Sequence, residues 1–410
     1  MISPGLCIRC KGRLLCGAEK CYLLERQRNF SKMKGVINDE FMGTTPPSVF
    51  ISWNNYPKLD VAPLSLAGND KNAYLYDTPE KWFGLSPEKI ISFRESLIRP
   101  YKSFEAKEAA NPEYGLAELQ ESAMAIGSLM NEVSLSEKPR LDVSFSDFYA
   151  PMGPKARMKK YRLVENPKVP QKVDYLSSDT EAKSTDALYE LFLNGFEASY
   201  LSKVLSVGVL GVEKKRKLVP TRWAITAVDS NIADRLVGEK VKSYGNIDCF
   251  RVFHSEYLDN NFYIMLMPYE WSFEQLEAWK PGGFWTADAK EYSIVSDHEF
   301  YDGRKDYAEN VTGAYYAAKL AVAEYLVEKK RQASAIVFRE IGQGYQVPLG
   351  VWVIRQSIRN ALEQKPVEFP NLSLALEFLS KKLTIPLEKW KKESKIIDRV
   401  TRQRRITDFL

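Results

Sequence analysis

The chain has 410 residues, 45% of them hydrophobic and 27% charged, with 58 Lys+Arg against 53 Asp+Glu and a net charge of +5. That composition excludes wholesale disorder, and the length is enough for a large core. So small a net charge does not by itself mark a nucleic-acid binder; any such contact has to come from local basic patches.

Four of the five cysteines open the chain as Cys7-x2-Cys10-x5-Cys16-x4-Cys21. A Cys-x2-Cys pair lets two thiolates grip one tetrahedral ion, and two more close the site. Roughly 15 residues cannot hold a core without a metal or a bridge. Residues 1–27 therefore read as a small four-Cys zinc knot with a structural role. An iron–sulfur cluster is the rival for an all-Cys set, and buried thiols or a redox pair are the plainer alternatives. The first twenty residues lack the apolar stretch of a secretory signal, so a cytoplasmic chain is expected, where disulfides do not persist.

Residues 28–390 read as the core. Residues 28–45 are polar and Gly-containing, a linker or surface loop. Val49 to Trp53 has strand character after the turn formers Thr45-Pro-Pro-Ser48. Thr78-Pro-Glu-Lys81 resembles a helix start, and Ser86-Pro87-Glu88 opens a clearer helix to about residue 99. A longer helix is expected from about residue 113 to 132. Residues 150–180, rich in Pro and Lys, are the candidate boundary between two subdomains. A helix is predicted over 185–206 and strands over 221–228, 248–254 and 262–268, with Cys249 as a core residue of the second. Val311 to Lys330 reads as a long helix, Ala333 to Arg339 as a strand and Leu349 to Leu362 as a helix. Lys319 and Glu324 make Val311 to Val327 too polar for a membrane span, so no membrane partner is expected. Strands and helices mix without regular alternation. That predicts an α+β fold with a mixed sheet and several packed helices.

Residues 391–410 form a basic peptide tail carrying Lys391, Lys392, Lys395, Arg399, Arg402, Arg404 and Arg405. It ends Gln403-Arg-Arg-Ile406-Thr-Asp-Phe409-Leu410. One helical turn puts Ile406, Phe409 and Leu410 on one side, beside a Gln anchor. The pattern resembles the PIP box that plugs repair and replication proteins into the sliding clamp PCNA, with Leu410 where many such motifs carry a second ring. The tail is expected to be exposed and available to fold into a groove.

Charges at the ends of apolar runs are the candidate chemistry: Arg222, Asp229, Glu270, Arg339 and Glu340. Carboxylates so placed could hold Mg²⁺ and arginines could hold phosphate. Arg222, Asp229 and Glu340 are expected to meet in one cleft; the plainer reading is that such groups pair as buried salt bridges. Trp223, Trp271, Tyr315, Tyr316, Tyr345 and Trp352 could stack on bases, or simply fill the core. The chain has two histidines, His254 and His298, and no phosphate-binding P-loop, which leaves little room for a His-based nucleophile or a P-loop ATPase.

Several segments together carry a family resemblance: the Cys cluster, Val219-Pro-Thr-Arg-Trp-Ala-Ile-Thr-Ala-Val-Asp229, Gly313-Ala-Tyr-Tyr-Ala317, Phe338-Arg-Glu-Ile-Gly-Gln-Gly-Tyr345 with its continuation to Trp352, and the terminal motif. The set resembles the archaeal Nre proteins over nearly the whole chain. The resemblance implies an archaeal cytosolic DNA-repair protein with a zinc-finger-like N-terminus and a PCNA-binding tail, and it supplies no reaction. Two functions follow. One is a clamp-recruited repair protein that binds DNA and processes damage in a metal- or Arg-assisted reaction. The other is a non-catalytic DNA-binding adaptor.

Overall fold

The structure is a computed structural model. It describes residues 38–140, 152–282, 289–345 and 347–402, together with Thr286 and, before residue 38, residues 10, 12–14, 21, 24, 27, 28, 30 and 31. The chain divides into two compact units, one built on Glu19–Ile232 and the other on Ala233–Leu410. Each contains a six-stranded mixed sheet. The division falls at residue 232, and residues 150–180 lie inside the N-terminal unit.

The N-terminal unit has strands β1 (Glu40–Thr45), β2 (Val49–Ile51), β3 (Lys58–Pro63), β4 (Arg99–Glu105), β5 (Leu129–Leu135) and β6 (Lys155–Leu163), in the order β1-β5-β6-β4-β3-β2. All pairs are antiparallel except β4 with β6. Its helices are α1 (Pro87–Ser96), α2 (Tyr114–Met124), α3 (Gln171–Ser178), α4 (Ser184–Leu193), α5 (Ala198–Ser206) and the start of α6 (Thr221–Glu239). The Ser86 side chain caps α1 as the sequence predicts, accepting from the Lys89 N–H, with Pro87 in the first turn. On α2, Leu116, Leu119 and Ala123 are buried at helical spacing. Glu118 of α2 accepts the N–H of Leu163 at the end of β6 at 2.7 Å.

Four elements of the N-terminal unit differ from the sequence expectations, each for a physical reason. Residues 221–228 are the start of helix α6, not a strand: Ala224, Val228, Ile232 and Leu236 are buried every fourth residue, which is helical spacing. The helix expected over 113–132 stops at Met124. Gly127, at φ +81°, turns the chain, and Leu129, Asn131, Val133 and Leu135 then alternate inward as β5. The helix expected over 185–206 is two helices, broken at Gly195 with φ +86°, a left-handed helix stop. The segment expected as a linker contains β1, which pairs with β5 from Glu40↔Ser134 to Thr45↔Leu129.

The C-terminal unit has β7 (Phe250–Tyr257), β8 (Asn260–Met267), β9 (Ser272–Trp279), β10 (Ser293–Glu299), α7 (Gly313–Lys329), β11 (Ser334–Ile341), α8 (Trp352–Glu363), β12 (Val367–Phe369), α9 (Leu372–Lys382), α10 (Leu387–Glu393) and α11 (Lys395–Arg402). Strand order is β10-β9-β11-β8-β7-β12, and only β9 and β11 run parallel. Helices α7 and α8 pack on one face of the sheet. On the other face Met265, Leu276, Ile336 and Phe338 meet Leu379, Ile385, Trp390 and Ile396 of the segment running from α9 to α11, so residues 391–402, expected as part of an exposed tail, are helical but for Ser394 and bury Ile396 and Ile397 in this core. Covered on both faces, β11 is buried at every residue, which is why it reads as a continuous apolar run rather than an alternating one. Each large side chain so buried contributes roughly 1.5–3 kcal/mol. Cys249 lies just before β7 and is half-buried rather than core. Among the described residues no helix is long and apolar enough to cross a membrane.

Candidate functional site

The turn between β2 and β3 and the first turn of α6 bring an exposed aromatic group together. The Ile51 N–H donates to Thr221 Oγ1 at 2.9 Å, which ties the end of β2 to the helix start. Trp53, Tyr56 and Trp223 are 39%, 48% and 45% exposed and lie close together. The Tyr56 and Trp223 rings lie 5.5 Å apart, tilted by 46°. The exposed Arg222 guanidinium sits 5.6 Å above the Trp53 ring. Half-exposed aromatic rings beside an exposed cation are a kind of chemistry that can stack on unpaired bases and hold their phosphates. Trp223 and Arg222 were legible as candidates in the sequence. Trp53 and Tyr56 join them only through the fold.

The other charged candidates are placed differently. On α6, Asp229 is 1% exposed, seven residues after Arg222. Glu270 is exposed and faces Arg399 at 3.7 Å, a contact worth little at a surface. Arg339 and Glu340 are neighbours on β11, so their side chains point to opposite faces of the sheet. Arg339 donates to Glu277 Oε1 at 2.7 Å and to Asn260 Oδ1 at 3.0 and 2.7 Å. The rings of Phe262, Trp279 and Tyr345 lie within 6.0 Å of its guanidinium. Glu340 accepts the backbone N–H groups of Thr384 at 3.1 Å and Ile385 at 2.8 Å. Of the candidate stacking rings beyond Trp223, Trp271, Tyr315, Tyr316, Tyr345 and Trp352 are all buried.

A buried polar network escaped the sequence reading. Lys319 of α7 donates to the buried Glu299 Oε2 at 2.7 Å and, at the edge of the network, to the exposed Asp234 Oδ1 at 2.6 Å. Glu299, at the end of β10, also accepts Trp271 Nε1–H at 2.9 Å and the Tyr315 hydroxyl at 3.0 Å. Burial, and then the Glu299 charge, pushes the Tyr315 phenol well above its ordinary range. The signal was Lys319 itself: a cation in the apolar middle of a helix needs a buried carboxylate. In the N-terminal unit, Lys203 donates to the Asp77 carbonyl at 2.9 Å, and burial pulls its ammonium below the usual lysine range.

Cys10 is buried and Cys21 half-buried, while Cys7 and Cys16 lie outside the described residues. Among the described residues no group of three or more His, Cys, Asp or Glu gathers as metal ligands. Gln403, Ile406, Phe409 and Leu410 also lie outside the described residues. The helix that leads to them, α11, is held at its start by Glu274 of β9, which accepts from the Ser394 hydroxyl, from the Lys395 N–H at 2.8 Å and from the Ile396 N–H at 3.2 Å.

Residues 15–286 match the sequence profile "Archaeal Nre, N-terminal" and residues 299–409 match "Archaeal Nre, C-terminal". The chain is 36% identical over 406 residues to a protein of Archaeoglobus fulgidus named DNA repair protein NreB, covering 98% of this chain and 100% of that one. It is 38% identical over 377 residues to DNA repair protein NreA of the same organism, covering 92% and 93%. It is 34% identical over 365 residues to DNA repair protein NreA of Haloferax volcanii, covering 88% and 87%. No solved structure matches the chain. Two profiles that together run nearly end to end, and relatives aligned over most of both chains, place this protein in the archaeal Nre family.

Proposed function

We propose that this protein acts in DNA repair by holding DNA, through bases stacked on the Trp53, Tyr56 and Trp223 surface, and by docking on the sliding clamp PCNA through its tail. The observation that carries the DNA contact is the exposed ring group with Arg222 above Trp53. The names of its relatives point to the same process. The clamp contact rests on the terminal pattern of Gln403, Ile406, Phe409 and Leu410, and on its place directly after α11.

A structural zinc held by Cys7, Cys10, Cys16 and Cys21 belongs to the same reading. Four thiolates make a closed tetrahedral donor set, with no open position for substrate. Cys10 and Cys21 are both thiols, and the burial of Cys10 suits an ion shielded from water. When bound, the ion would organise the segment around it; the DNA contact itself is made by side chains of the N-terminal unit.

The surroundings of Arg339 and Glu340 favour the adaptor over metal-assisted processing, because their charges are already engaged with Glu277, Asn260 and two backbone amides. Fluorescence anisotropy with single-stranded, duplex and damaged DNA tests the proposal. The full-length protein should bind, and Trp223→Ala should weaken binding by about 1–3 kcal/mol for each base it stacks. A ring this exposed should leave stability within about 0.5 kcal/mol. Unchanged affinity in both Trp223→Ala and Trp53→Ala would rule out the stacking surface. Strand scission or base release that requires added Mg²⁺ would return the enzyme reading to the fore.

A further inference from the structure

Strand β6 reads Lys155-Ala-Arg-Met-Lys-Lys-Tyr-Arg-Leu163: five cations and no acid in nine residues. Ala156, Met158, Tyr161 and Leu163 are buried, while Lys155, Arg157, Lys159, Lys160 and Arg162 are exposed. Strict alternation would turn residue 160 inward and Tyr161 outward. The register prevents that. Ser134 of β5 faces Lys160, but the next residue, Leu135, faces Met158, so Lys159 is an extra residue with no partner. This bulge sends Lys159 and Lys160 both to solvent and returns Tyr161 and Leu163 to the core. Bulges commonly re-aim a side chain in this way.

Two ordinary explanations for such a row do not fit. Lysines often guard edge strands against pairing with other chains, but β6 is not an edge of the sheet: β4 pairs with it over Lys155–Arg157, β5 pairs with it from Met158 to Leu163, and beyond the reach of β4 the Leu163 N–H is taken by Glu118 of α2. Solubility is met by mixed charges, and like charges on neighbouring positions repel at some cost to the fold. On the flanking strands Arg99 stands opposite Lys155 and Tyr101 opposite Arg157. On β5 the single acid is Glu132, opposite Arg162. Glu137, just beyond β5, accepts the Arg157 backbone N–H at 3.3 Å and pairs with Arg140 at 3.7 Å.

We propose that this open sheet face, centred on Arg157, Lys159, Lys160 and Arg162, docks the phosphate backbone of DNA. The proposal rests on the reading that the protein works on DNA. It adds a sequence-independent grip to the base-stacking surface of the same unit. Spacing supports it. Alternate residues of a strand advance roughly 6.6 Å, and one strand of B-form DNA places a phosphate about every 3.4 Å along its axis. The row from Arg157 to Arg162, roughly 17 Å long, is therefore long enough to face several phosphates where a duplex backbone crosses it. Long flexible Lys and Arg side chains absorb the remaining mismatch.

The test uses the full-length protein and a labelled mixed-sequence duplex, with binding measured from low to moderate salt. A variant carrying Arg157→Gln, Lys159→Gln and Lys160→Gln changes exposed positions only and should melt with the wild type. Its dependence of log affinity on log salt should flatten by about 0.9 per lost contact, close to 2.7 in all. Its affinity at low salt should drop at least tenfold, equally for every sequence. A control carrying Lys214→Gln, Lys215→Gln and Lys217→Gln, also exposed, should keep the wild-type slope. Equal losses in the two variants would mean diffuse charge attraction and overturn the face. So would wild-type affinity and slope in the β6 variant, while leaving the DNA reading intact. A wild-type protein that binds no DNA would instead sink the proposed function itself. A tenfold preference for an RNA duplex of the same sequence would assign the face to RNA and overturn the DNA proposal.

Discussion

Arg339 is 4% exposed, paired with Glu277 and surrounded by three rings. Its guanidinium neutralises a carboxylate that is itself 5% exposed. Removing one partner of such a pair strands the other charge, at a cost of about 3–5 kcal/mol. Arg339→Ala should therefore lower the urea midpoint strongly. The double replacement Arg339→Met with Glu277→Met should recover much of that loss, because neither charge is left unpaired. A single-variant cost below about 1 kcal/mol would mean the pair is effectively solvated, as surface pairs are. Arg339 and Arg222 looked alike in the sequence, both set at the margin of an apolar run. Only their surroundings separate them: one is enclosed by the sheet and its cover, the other is exposed beside Trp53.

At the scale of elements, α11 depends on a carboxylate from the sheet. Glu274 bonds the orphan N–H groups of the first turn of α11 and complements the positive end of the helix dipole. Burial raises its pKa above the ordinary glutamate value of 4.5, against the lowering effect of those hydrogen bonds. The folded protein then binds more protons than the unfolded chain between about pH 4.5 and the raised value. Stability must therefore fall as pH rises through that window and level off above it. Glu274→Gln removes this titration while keeping one acceptor for the helix. Denaturant melts of both proteins from pH 4 to 7 should show the variant's deficit shrinking as pH rises. A deficit that grows with pH would mean that ionised Glu274 is stabilised by the fold. Glu340 uses the same device at the turn between α9 and α10. Two sheet carboxylates thus anchor the helices that lead into the tail.

At the scale of the whole molecule, the proposed zinc and the proposed clamp tail sit at opposite ends of the chain. Metal analysis should find about one zinc per chain, the expectation for a closed four-thiolate site. Cys7→Ser with Cys10→Ser should remove it; full zinc retention would rule out this ligand set. Deleting residues 403–410 should abolish binding to PCNA by calorimetry while leaving DNA affinity and melting unchanged. Phe409→Ala should weaken the clamp complex by ~2 kcal/mol or more, as an aromatic anchor in a pocket does. Equal clamp binding by the full-length and truncated proteins would end that part of the proposal.

Much of this protein was legible in local sequence. The mixed α+β class, helix α7, strand β11 and the capped start of α1 are written in the length and make-up of apolar runs and in capping residues, which need no distant partner. The family likeness was legible too, because it rests on local segments. What only the tertiary structure decided depends on residues far apart in the chain. Trp53 and Tyr56 become part of a surface with Trp223 when Ile51 bonds Thr221, 170 positions away. Lys319 meets Glu299 and Asp234 when α7 packs over the sheet. Five cations on β6 face one way because β5 sets a bulged register. Even the helical identity of residues 221–228 awaited the core that buries every fourth residue of α6. A short apolar run is compatible with strand or helix alike, and long-range burial, which no local pattern encodes, makes the choice.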